Sequence, residues 1–252
     1  MASTDSSDLN QQHSVGEILA AALSLYQRYP VLFGVLALGV IAPYDLIVTA
    51  ITGSGPLATH AHESVGTSLL LDLLNFALIG PLVSALHMHA VVLITEDQQP
   101  RLGAVALRGL QVLPVVAAAE IVAGFGIGLG FLALIVPGIL LALRWSVVAQ
   151  TAAVEREGWL PALRRSGQLT KDNYGHIFGL VLVTAALGLV MGILSRSLHG
   201  GETSAGSIVV GIAIHTIVVS FSALTMAILY LDLRARHGGS RVAREPEPQY
   251  LD

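Results

Sequence analysis

From Leu110 to Gln150 the chain is apolar for about forty residues, interrupted by Glu120 and by a glycine cluster at 124, 126, 128 and 130. One helix of that length is about twice what a hydrocarbon layer of about 30 Å needs. The stretch must therefore turn back on itself. A hairpin is expected at the glycines, which tolerate the backbone of a turn. Four further runs are each long enough to cross once: Val31–Thr52, Thr67–Thr95, Ile177–Leu194 and Ile208–Leu231. Thr67–Thr95 is long enough to tilt or kink and carries Gly80-Pro81. Together the runs predict an all-α polytopic membrane protein of six spans. Barrel strands would alternate over about ten residues, whereas these runs are continuous and rich in Leu, Ala and Val.

Composition agrees. Hydrophobic residues make up 54% of the 252 residues and charged ones 12%, where soluble domains carry about 25% charged residues. An ordinary soluble enzyme and a disordered chain are excluded. A net charge of -4 leaves no basic footprint for nucleic acid. With Cys at 0, there is no thiolate chemistry and no disulfide framework.

Lys and Arg near span ends report orientation. Twelve of the 13 basic residues fall on one side of a six-span topology, and only Arg196 falls on the other. Both termini are therefore expected in the cytoplasm, with the protein integral to the cell membrane. Residues 1–13 contain two Asp and no apolar run, so they are expected to be a disordered tail and not a signal peptide. A six-helix domain over residues 14–235 and a second tail over 236–252 complete the division.

Each cytoplasmic approach has a similar pattern. Ser14 and Glu17 have capping-box spacing, and Ile18, Leu19, Ala22, Leu25 and Tyr26 form one stripe at helical spacing. Leu102–Leu110 and Leu160–Thr170 are also short and amphipathic. The expected architecture is three transmembrane hairpins, each preceded by an interfacial helix with its apolar face at the headgroups.

The stretch Val136-Pro-Gly-Ile-Leu-Leu-Ala-Leu-Arg-Trp-Ser146, then Val154-Glu155, Trp159-Leu-Pro-Ala-Leu-Arg-Arg-Ser166, Leu169 and Phe178-Gly179, resembles the membrane domain family named after glycerophosphoryl diester phosphodiesterases, and related bacterial six-helix proteins. Gly16-Glu17-Ile18-Leu19 through Phe33-Gly34 is similar too. In that family the domain is sometimes fused to a phosphodiesterase barrel. These 252 residues contain no such barrel, so the resemblance implies a membrane domain without that enzyme's activity.

Ionisable residues inside spans are functional candidates by default. Glu120 is the foremost. It is either held neutral by desolvation or faces a wet path. Asp72 and Asn75 lie three apart on one helix face, as hydrogen-bonding glue or as cavity lining. Asp45 reads as an interfacial carboxylate and His215 as an interhelix hydrogen-bonding residue. His87 and His89, two apart, point to different sides and cannot easily share a metal. His60, His62 and Glu63 read as a solvated loop cluster, so no metal or other cofactor is expected. Arg144, Glu155, Arg164, Arg165 and Ser166 form a polar group near the cytoplasmic interface. They are either a lipid headgroup site, since Arg matches phosphate, or a structural ion pair. Pro137-Gly138 marks a kink or a break, and Gly188 and Gly192 a close helix contact. Nucleotide, esterase-elbow and zinc-protease motifs are absent. The expectation is a non-enzymatic membrane protein that interacts with lipid or serves the envelope. Its partners would be membrane lipids, not nucleic acid. The alternative is a small-molecule or ion transporter or channel.

Overall fold

The computed structural model describes residues 13–53, 64–199 and 204–242. Helices dominate it: α1 (Val15–Arg28), α2 (Pro30–Thr52), α3 (Val65–Leu74), a π-helical turn (Asn75–Ile79), α4 (Gly80–Thr95), α5 (Leu102–Ala133), α6 (Ile135–Arg144), α7 (Val148–Glu155), α8 (Trp159–Leu169), α9 (Tyr174–His199) and α10 (Ala205–Val242). Six stretches are long and apolar enough to cross a membrane: Pro30–Thr52, Val65–Thr95, Leu102–Ala133, Ile135–Glu155, Tyr174–Leu194 and Ala205–His237. Large apolar side chains such as Val31, Leu46, Leu70, Leu132 and Leu189 stand exposed around the bundle. Water would penalise that surface and a bilayer does not. The protein is an integral membrane protein of all-α fold.

Local chemistry explains the element ends. The Ser14 hydroxyl accepts from the Glu17 N–H at 3.4 Å, and the Glu17 carboxylate accepts from the Ser14 N–H at 2.6 Å. That bond from the Ser14 backbone holds the Glu17 carboxyl below its ordinary value. Pro30 starts α2, where a missing N–H costs nothing. Pro81 has no N–H to give, and just before it the Gly80 N–H reaches back five residues to the Asn75 carbonyl, closing the π turn.

α10 is the central helix. Leu224, Ala227, Ile228, Tyr230 and Leu233 are fully buried on it, packed among α1, α2, α4 and α9. The first described residue is bonded to it. The His13 N–H donates to Asp232 at 2.6 Å, and Arg236 donates to the His13 carbonyl at 2.6 Å. His13 is therefore docked, and α10 continues past residue 235 to Val242.

Three expectations need correction. The hairpin between the third and fourth spans turns at Leu134, whose backbone is extended, and not at the glycines. All four glycines are helical and three are packed: a Cβ on Gly126 would lie 2.5 Å from the Trp145 ring, and one on Gly130 would lie 3.0 Å from the Gly138 backbone, whereas Gly128 faces open space. The chain uses them for close approach of two helices. Second, Leu102–Leu110 is no separate helix but the first turns of α5, which runs unbroken past Pro114. Third, the apolar stripes of α1 and α8 are buried against the bundle. Ile18, Ala21, Ala22 and Leu25 do this on α1, and Ala162, Leu163 and Leu169 on α8.

Candidate functional site

The fourth span is a broken helix. α6 ends at Arg144, Trp145 to Val147 form a turn, and α7 resumes at Val148. The break frees the Arg144 carbonyl, which accepts from the Ser166 hydroxyl at 3.1 Å and the Thr170 hydroxyl at 3.0 Å. Two side chains at the end of α8 thus cap the broken helix, and the bare backbone of Gly126 makes room for the Trp145 ring. Non-helical backbone within a membrane-spanning segment persists only where protein buries it or where it lines a cavity.

Beside this break lies a groove of about 290 Å³. Its polar lining is Ser84 from α4, Glu120 from α5, and Ser146 and Gln150 from the broken span. Its apolar lining includes Phe76 on the π turn, Ile127, Trp145 and Met226. Every lining residue belongs to one of four candidate spans. The Phe76 ring, 44% exposed, stands at the rim. Gln150 is only 3% exposed, yet its Oε1 has no hydrogen-bond partner, and neither has the buried hydroxyl of Ser146. Buried polar atoms left unpaired cost about 1–3 kcal/mol each, so an arrangement that keeps two beside an acid calls for an explanation. The size approaches that of small-molecule pockets, about 300–1,000 Å³.

The residues singled out from sequence separate into distinct places. Glu120 lies in the groove. Asn75 is near it through its backbone: a Cβ on Gly80 would touch both the Asn75 carbonyl and Glu120 Oε2. Asp72 is exposed and lines no part of the groove. Arg165 donates from Nε to Glu155 at 3.1 Å, and the Tyr230 hydroxyl donates to the same carboxylate at 3.3 Å. Glu155, Arg165 and Tyr230 thus tie α7, α8 and α10 together. Arg144 and Arg164 are exposed and make no ion pair among the described residues. Asp45 and His215 come together as a pair, with Nδ1 donating to the carboxylate at 2.9 and 3.0 Å. His87 donates to the Val83 carbonyl and accepts from Ser220 at 2.8 Å. His89 donates to the Ala85 carbonyl and accepts from Arg156 at 3.4 Å, so the two imidazoles point apart. Among the described residues, no group of three or more His, Asp or Glu could hold a metal. The His60, His62 and Glu63 cluster lies outside the described residues.

Ser84, Ser146 and Gln150 were not singled out from sequence. For Ser146 and Gln150 the only linear trace is that Ile135–Glu155 is the least apolar of the six spans; Ser84 leaves none. No family model, curated protein or solved structure matches the chain.

Proposed function

We propose that this is a non-enzymatic membrane protein that binds an amphiphilic, lipid-like molecule in the groove at Glu120. The observation that carries the reading is the set of unpaired polar atoms beside Glu120, at a helix break among membrane-spanning segments. Broken helices at such depth are a recurrent way to expose polar groups to a ligand. The rim at Phe76 faces outward from spans that a bilayer would surround, so the ligand reaches the groove from the lipid phase. The second reading, a transporter or channel, uses the same acid but needs the groove to open at both faces of the bilayer.

The same proposal places the protein in the cytoplasmic membrane with both ends inside. The basic residues argue for the side, and the bonds between His13 and α10 support the two ends being together. Membership of the six-helix family named after phosphodiesterase membrane domains is proposed on the stretch Val136–Ser166 and extends to no enzyme activity.

Native mass spectrometry after extraction in mild detergent tests the reading. Wild-type protein is expected to retain one amphiphile per chain. The double variant Ser146→Ala, Gln150→Leu should lose about tenfold in occupancy, equivalent to about 1.4 kcal/mol, while keeping its thermal unfolding transition. Equal occupancy in wild type and variant contradicts the proposal. Flux of a small solute in proteoliposomes, abolished by Glu120→Gln, would instead favour transport.

A further inference from the structure

We infer that the groove selects a headgroup that donates hydrogen bonds and carries no net negative charge, an ammonium or a hydroxyl on an alkyl chain. The inference rests on the reading of the groove as a binding site. The lining contains one carboxyl and no Lys, Arg or His. Arg144, the nearest cation in sequence, lies across Gly167 on α8, where a Cβ would come 2.9 Å from its Nε, and it does not line the groove. An anionic headgroup would find no cation in the lining to neutralise it, in surroundings that screen poorly, and would oppose any ionisation of Glu120. The groups left without partners are suited to a donor. Gln150 Oε1 is an acceptor, the Ser146 hydroxyl can accept, and Glu120 adds carboxyl oxygens. Trp145 offers an indole face, which attracts an ammonium. Phe76, Ile127 and Met226 form an apolar wall for the chain. This chemistry differs from that of the exposed Arg144 and Arg164, which suit phosphate.

The chain contains two Trp residues. Trp145 lines the groove, and Trp159 lies exposed on α8. In full-length Trp159→Phe protein, Trp145 fluorescence therefore reports groove occupancy. Three probes of equal chain length, brominated near the headgroup, are titrated: an alkylamine, a monoacylglycerol and an alkyl phosphate. The amine or the glycerol is expected to quench saturably at about tenfold lower concentration than the phosphate. Glu120→Gln should weaken the amine about tenfold, through loss of a charge-assisted bond, and leave the glycerol within about twofold. A phosphate probe that binds as tightly as either donor overturns the inference and leaves the groove reading standing. An amine unaffected by Glu120→Gln removes Glu120 as headgroup partner and overturns it too. Quenching that never saturates for any probe contradicts the groove reading itself.

Discussion

Two neighbouring arginines on α8 have different surroundings. Arg165 is held by Glu155, which also accepts from Tyr230, whereas Arg164 is exposed and makes no ion pair among the described residues. Arg165→Ala is expected to destabilise by about 1–2 kcal/mol, since it leaves a partly buried carboxylate short of a charge-assisted partner. Arg164→Ala should stay within about 0.5 kcal/mol. Thermal unfolding in detergent checks both, and equal effects would remove the clasp. Arg164→Ala is instead expected to weaken retention of anionic lipid by about 1 kcal/mol, an effect that high salt shrinks. At the other end of the chain, Glu17 has its pKa lowered below 4.5 by the Ser14 N–H. A depressed folded value means stability that is present above the unfolded value and is lost as pH falls through the folded one. The protection factors of α1 amides, with the intrinsic pH dependence of exchange divided out, should thus be unchanged from pH 7 to about 5 and fall only at lower pH. Ser14→Ala should lower them at every pH, by the equivalent of about 1 kcal/mol. Protection that falls between pH 7 and 5 would point to a different titrating group.

At the scale of elements, what could be read depended on whether a segment's role was local. Each apolar run carries its own spanning length, so the spans were legible one by one. The capping box of α1 was legible as well, because both its partners lie within four residues. The turn at Leu134 was not. Gly124, Gly126 and Gly130 suit a turn and suit close packing equally, and the choice was made by Phe76 on the π turn and by Trp145 and Gly138 on the returning span. Glu120 was visible as an acid in an apolar run. Its convergence with Ser146 and Gln150 depends on how α5 packs against the broken span, which no local pattern encodes. The packing account of the glycines is testable by a matched pair. Gly130→Ala puts a Cβ 3.0 Å from the Gly138 backbone, while Gly128→Ala meets nothing within 4 Å. The first should cost about 1–3 kcal/mol by overpacking. The second should be neutral or slightly stabilising, because alanine is the better helix former. If both are neutral in thermal unfolding, the two arms of the hairpin are not in close contact.

For the whole molecule, the spans and the meeting of His13 with Asp232 and Arg236 place the ends of the described chain together at one end of the bundle. Reporter fusions near residues 60 and 200 should read outside, and those near 100 and 160 inside, on the charge-bias argument; any reversed site defeats the orientation. The resulting picture is a bundle with α10 at its centre, α1 and α8 docked against it, and one polar groove beside the break in the fourth span. That groove is the central claim, and photocrosslinking in native membranes tests it most directly. A benzophenone amino acid replaces Phe76 at the rim, and a second protein carries it at Leu189, 66% exposed on α9 and outside the groove. Irradiation at position 76 is expected to give one discrete amphiphile adduct, displaced by excess unlabelled alkylamine or monoacylglycerol. Position 189 should give only the mixed labelling of bulk lipid. The same mixed, non-competable labelling at both positions would contradict the account.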